Sequence, residues 1–244
     1  MLSAAEIPKP QKRKMKDKRL LCCAELCVGG RAVDVGTDHG HLAVYLVEQG
    51  ICKSCIACDI NEKPLAAARS SIRAAGLEDR IEAVLSDGLD SIDPEGVTDV
   101  VIAGMGGELI AEIIQRAEWL KENRVNLVLQ PMTKWDHLRR ELYENGFEVR
   151  RELACTEGKF VYSVMQAVYT GEKPGYPCDL RYLYGGIVEP DSEASSAYLL
   201  RQASRLEAAA GGMIKDPQRT KQGSAYFAAA RELRDLAAGF DINS

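Results

Sequence analysis
Long apolar runs are missing from this chain of 244 residues. None approaches the ~18 residues that a membrane-spanning helix needs, so no helical span is expected. The start, Met1 to Lys18, has no apolar core of the kind a secretion signal carries, and the expectation is a cytoplasmic protein. A strong basic excess is also missing: the net charge of −5 is not that of a wholly basic nucleic-acid binder. Without an export signal, the 8 cysteines read as reduced thiols. Cys52, Cys55 and Cys58 have metal-site spacing, but strand alternation points Cys55 and Cys58 to opposite faces, which favours buried apolar packing and no metal. Cys22, Cys23 and Cys27 lie in an apolar helical stretch and are read the same way.

What is present centres on residues 31–40, Arg-Ala-Val-Asp-Val-Gly-Thr-Asp-His-Gly. The apolar run Ala32 to Val35 ends in a loop with Gly36 and Gly40, and a helix-forming run follows, so the unit reads strand, tight loop, helix. Such a turn cradles a nucleotide, with helix N–H groups facing the ligand. A dinucleotide fingerprint wants a second glycine where Asp38 stands. Asp34 and Asp38 would repel a pyrophosphate and attract a cation, which suits the sulfonium and ammonium of S-adenosylmethionine. About 20 residues on, Asp59 ends a second strand, where a carboxylate can hold both ribose hydroxyls. Each carboxylate alone also reads as a solvated turn or cap residue.

Along the chain, helices are expected at 20–28, 41–49, 61–75, 109–120 and 133–144, and strands at 54–59, 80–85, 98–103, 124–129, 147–154 and 159–169. Asp87 follows the third strand at the same sheet edge, placed to accept from an adenine amino group. Gly104-Met105-Gly106-Gly107 is expected as a loop after the fourth. The last two strands are joined too tightly for a crossover and must pair antiparallel. The fold class is therefore α/β, a doubly wound Rossmann-like sheet ending in an antiparallel hairpin, the architecture of class I methyltransferases. A C-terminal helical hairpin follows: Leu199, Ala203, Leu206, Ala210, Met213 and Tyr226, Ala230, Leu233, Ala237, Phe240 form a thin coiled-coil-like seam, either zipping together or joining a dimer, with a monomer expected. The expected organisation is a basic arm at 1–19, a donor-binding domain at 20–170, a linker at 171–191 and the hairpin at 192–244.

With these residues in place, the chain resembles the bacterial tRNA (adenine-N1)-methyltransferases that modify adenine 22. The carriers are Asp34-Val35-Gly36-Thr37-Asp38-His39-Gly40, Gly104-Met105-Gly106-Gly107 and Leu129-Gln130-Pro131, and the likeness covers nearly all the chain. It departs after Gly40, where the family has tyrosine then Leu-Pro and this chain has His41, Leu42 and Ala43. The resemblance implies S-adenosylmethionine as cofactor and tRNA as partner. Candidate donor-binding residues are Asp34, Gly36, Thr37, His39, Gly40, Asp59, Ile60, Asn61, Asp87, Gly88 and Gly104, and candidate catalytic residues are Asp38, Met105 and Gly106. The Gly104 loop stands where amino-group methyltransferases carry Asn/Asp-Pro-Pro-aromatic, which argues against N6 methylation. Lys12, Arg13, Lys14, Lys16, Lys18 and Arg19 of the arm, with Arg201, Arg205, Arg219 and Lys221 of the hairpin, are candidates for RNA phosphates, or else ordinary solvated charges. The alternatives are a methyltransferase for a small molecule or protein, and a non-catalytic donor-binding regulator.

Overall fold
The structure, a computed structural model, describes residues 15–239. Lys12, Arg13 and Lys14 of the basic arm and Phe240 of the expected seam lie outside the described residues. The elements run α1 (Lys18–Leu26), β1 (Arg31–Val35), α2 (His41–Glu48), β2 (Ser54–Asp59), α3 (Glu62–Ala75), β3 (Ile81–Leu85), β4 (Val97–Gly106), α4 (Gly107–Arg116), α5 (Trp119–Glu122), β5 (Asn126–Thr133), α6 (Trp135–Glu144), β6 (Phe147–Glu157), β7 (Phe160–Tyr169), α7 (Leu180–Gly185), α8 (Glu193–Met213) and α9 (Thr220–Ala238).

The seven strands form one sheet in the order β3-β2-β1-β4-β5-β7-β6, in which β7 alone runs against the others. The order reverses between β1 and β4, and that switch point opens a crevice at the carboxyl ends of both strands. Alternation along each strand sorts the core. Val33, Val35, Ile56, Cys58, Val100 and Ile102 pack under α4 and α6, while Ala32, Cys55, Ala57 and Val101 pack under α1, α2 and α3. Cys55 and Cys58 thus bury on opposite faces, as their spacing predicts.

Four segments differ from the sequence expectation. First, α1 begins at Lys18 because the Asp17 carboxylate accepts from the N–H groups of Arg19 and Leu20, at 2.9 and 3.4 Å. Second, the helix expected at 109–120 breaks at Ala117, whose φ of −102° and ψ of 75° are not helical, and the break turns Leu120 into the core. Third, Gly104, Met105 and Gly106 belong to β4, paired to β5 through two register shifts, so most of the expected loop is irregular strand. Fourth, the stretch 171–191, expected as a linker, carries α7. Asp179 caps that helix by accepting from Tyr182 N–H at 2.9 Å, and Tyr182, Leu183 and Val188 are buried.

The C-terminal hairpin closes on itself. Leu199, Ala203, Leu206, Ala230, Leu233 and Ala237 form its buried seam, with Met213 and Tyr226 only half-buried. The same cluster takes in Ala154 of β6, Val161 of β7 and Tyr184 of α7, so the hairpin is seated on the sheet edge. A buried ion pair fixes that seat. Arg139 of α6 donates to Glu152 of β6 at 2.5 Å, to Tyr198 of α8 at 2.7 Å and to the Leu183 carbonyl of α7 at 2.7 Å. Gly186, at φ 65°, lies against this pair, and a Cβ there would collide with the Glu152 carboxylate. No helix among the described residues is long and apolar enough to cross a membrane.

Candidate active site
The site is built where β1 ends. Gly36 turns the chain at φ 74°, and the N–H groups of Gly36 and Thr37 both donate to the Cys58 carbonyl of β2, at 2.8 and 2.9 Å. Those two donors hold the loop to the sheet and do not face a ligand. The chain then passes through His39 at φ 57° and Gly40 at φ 67°, and Gly40 begins α2. Gly40 is also a packing position, since a Cβ there would stand 3.2 Å from the Ala68 backbone of α3.

Two carboxylates of unlike character flank this turn. Asp34 is 6% exposed and accepts from the Thr37 hydroxyl at 2.7 Å. Burial raises its pKa, the Thr37 hydrogen bond opposes the rise and the Asp59 charge adds to it, leaving the group at about 6. Asp38 is open to solvent, with its carboxylate 3.3 Å from His39 Nε2, and the His39 ring stacks on His41 at 5.6 Å.

A cleft of about 690 Å³ joins these groups. Asp34, Gly36 and Asp38 line it from the β1 loop, and Ala103 and Gly104 from β4. Leu42, Val44 and Tyr45 line it from α2, with His41 at that helix's start. The remaining wall comes from Met15, Lys16, Asp17, Arg19 and Leu20. Behind Gly104, Gln130 is fully buried, accepting from Gly104 N–H at 3.1 Å and donating to the Pro131 carbonyl at 3.1 Å. Met105 lies over the turn, its methyl in the space a Cβ on Gly36 would need. Gly36→Ala is therefore expected to cost about 1–2 kcal/mol from the left-handed backbone alone. Displacement of Met105 adds to that cost, and the sum is read as a fall in the urea midpoint.

The other candidates are distributed as follows. Gly106 packs near Thr133, and a Cβ on Gly107 would strike the Lys134 backbone, so this pair is shaped by close packing on the segment before α6. Asp59, Ile60 and Asn61 sit at the end of β2, outside the walls of the cleft. The Asn61 side chain makes no cap bond, and its N–H donates to Asp59 Oδ1 at 2.7 Å. Asp87 reaches the same edge, where its carboxylate also accepts from Arg116 at 3.0 Å. Gly88 is buried and packs on Ile113 and Arg116.

Of the basic arm, Lys16 lines the cleft, and Lys18 is exposed. Arg19 is no free phosphate contact. It pairs with Asp17 at 2.6 Å, reaches Gln130 Oε1 at 3.5 Å and lies 5.4 Å from the Tyr162 ring centre. Arg201 and Arg205 face a second recess beside Tyr162, whereas Arg219 and Lys221 are exposed toward the hairpin tip. Sequence reasoning missed Tyr45 and the inward role of Arg19. Tyr45 was legible, since it stands one turn after His41 on the same helix face. Arg19 gave no local signal.

Residues 16–165 match the family model described as a methyltransferase domain. The chain belongs to the methyltransferase domain family. The chain is 32% identical over 151 residues to the tRNA (adenine(22)-N(1))-methyltransferase of Bacillus subtilis, an alignment spanning 62% of this chain and 63% of that relative, less than two thirds of its length. It is 30% identical over 155 residues to a provisionally named tRNA methyltransferase of Mycoplasma pneumoniae, spanning 62% of this chain and 70% of the other. A solved structure from Streptococcus pneumoniae, provisionally named a tRNA (m1A22) methyltransferase and bound to S-adenosyl-L-methionine, matches with a TM-score of 0.77 at 28% identity. That match covers 90% of this chain and 100% of the other, so the fold likeness reaches beyond residue 165 into the hairpin.

Proposed function
We propose that this methyltransferase transfers a methyl group from S-adenosylmethionine to N1 of adenine 22 in tRNA. The observation that carries the reading is the cleft itself: a buried carboxylate and an exposed one, Asp34 and Asp38, beside glycine-bent backbone whose loop N–H groups are already bonded to β2. Such a lining suits a cation and not a diphosphate. The donor supplies a methyl group on a sulfonium: as the new N1–C bond forms, the S–C bond breaks, sulfur keeps that electron pair, and positive charge passes to the purine.

The protein's task is alignment. Asp34, held in place by Thr37, and Asp38 at the mouth offer negative charge to the donor's cationic groups, and Asp59 at the end of β2 offers a carboxylate to the ribose hydroxyls. Adenine N1 has a free lone pair, so no strong base is needed. Gly104, braced by Gln130, leaves room beside Met105 for a flat ring, and the Asp38 carboxylate stabilises the charge that develops on it. The chemistry needs no metal, because the leaving group is already activated by its own charge. The hairpin's apolar seam is satisfied within one chain, which supports a monomer, and a tRNA substrate supports action in the cytoplasm.

The test is transfer of labelled methyl groups from S-adenosylmethionine into tRNA from a strain lacking the enzyme, with the site mapped by reverse-transcription arrest. The expected product is 1-methyladenosine at position 22. Donor binding without transfer to any RNA, or methylation at a different atom, overturns the reading.

A further inference from the structure
The hairpin and the sheet enclose a second recess, of about 290 Å³, between Pro131–Met132, Trp135 and the β6–β7 tip on one side and α8 on the other. Its composition is unusual for a surface hollow. Four aromatic residues, Trp135, Phe160, Tyr162 and Tyr198, meet two guanidiniums, with Arg205 4.0 Å from the Trp135 ring centre and Arg201 6.0 Å from the Phe160 ring centre. Among the described residues neither arginine has a carboxylate within ion-pair distance; Arg205 donates only to Gln202, at 3.3 Å. Burial first, and then the neighbouring Arg201 charge, lower the pKa of Arg205, so two like charges are held together uncompensated. Phe160 is 45% exposed, a large apolar ring turned to solvent. The indole N–H of Trp135 is buried and has no acceptor among the described residues.

The recess is joined to the methyl-transfer cleft. Arg19, a wall of the cleft, lies on the Tyr162 ring and reaches Met132 Sδ at 3.5 Å, and both Tyr162 and Met132 line the recess. Flat rings with unpaired guanidiniums fit a ligand that is itself flat and carries an anion, and a nucleotide is both. We propose that this recess seats an unpaired nucleobase of the RNA adjacent to the methylated adenine, stacked on Phe160 and Trp135 with its phosphate on Arg201 and Arg205. The inference rests on the tRNA reading above and adds to it a place for the base that must be unstacked when the target adenine is exposed. It also gives the seated hairpin a purpose, because α8 supplies both arginines.

The test uses the full chain with S-adenosylhomocysteine and tRNA transcripts carrying 2-aminopurine at either nucleotide flanking the target. Wild-type protein is expected to quench the fluorescence at one flank, and Phe160→Ala and Arg205→Ala to abolish that quench. In turnover, each variant should raise KM for tRNA roughly five- to a hundredfold, the range set by loss of one stacked base. Donor affinity, measured by calorimetry, should stay at the wild-type value and certifies folding; exposed Phe160 is the safer of the two in this respect. Absence of quenching at both flanks in the wild type, or variants with wild-type quenching and KM, overturns the proposal. If the wild type quenches but transfers no methyl to tRNA, the functional reading fails while the nucleobase seat stands.

Discussion

Asp34→Asn is expected to make the unliganded protein more stable at neutral pH and to weaken S-adenosylmethionine binding by about a hundredfold or more, the range for loss of one partner of a buried charge pair. The stability gain follows from a carboxylate held at about 6 in the fold against an ordinary 3.8. For a carboxylate whose folded pKa is raised, the destabilisation is absent below pH 3.8, grows as pH rises from there to about 6, and is complete above. By linkage its full size is about 3 kcal/mol, so the asparagine variant should gain on the order of 2–3 kcal/mol at pH 7.5 and nothing at pH 3.5. Urea denaturation at the two pH values measures it.

The same site predicts how binding depends on pH. A cationic donor beside Asp34 lowers the carboxyl's pKa, so binding at pH 5 releases a proton, and affinity rises with pH until it levels off above about 6. Calorimetry in buffers of different ionisation heat reads that proton directly. A flat profile from pH 5 to 7.5, or an asparagine variant that binds the donor like the wild type, would remove Asp34 from the binding site.

The second large effect lies away from the cleft, at the Arg139–Glu152 pair. Burial acts against the charged form of Arg139, but the Glu152 carboxylate and Tyr198 outweigh it and its pKa is raised. Arg139 is fully buried, and Glu152 also accepts from Ile187 N–H at 3.0 Å. Glu152→Ala leaves that guanidinium unpaired in the interior, and the expected loss is about 3–5 kcal/mol. In a chain of this size that corresponds to a fall in Tm on the order of 10 °C. The double change Arg139→Met with Glu152→Leu should lose distinctly less than Glu152→Ala alone, because it removes both charges. Since the pair ties α6, β6, α7 and α8 together, hydrogen exchange in α8 and α9 should accelerate in Glu152→Ala before exchange in β1 or β4 does.

Much of the sheet was legible because its signals are local. Gly36, Gly40 and Gly76 stand where the backbone has positive φ, and the apolar runs 32–35, 54–58 and 98–103 alternate between the two core faces. The errors were also physical in origin. Gly104-Met105-Gly106 reads as a loop because glycine marks turns, yet β5 lies alongside and pairs it into the sheet. The stretch 171–191 reads as a linker from its Pro and Gly, yet Tyr182 and Leu183 find a pocket beside α6.

The sequence by itself determined the strand, the bent loop and the pair of acids beside it, since strand alternation and glycine's freedom at positive φ act over a few residues. Only the tertiary structure decided which of those acids is desolvated, that Arg19 turns inward to Gln130 from 111 residues away, and that the hairpin's arginines face aromatic rings across a recess. Burial and long-range pairing depend on how distant segments pack, and no spacing along the chain encodes them.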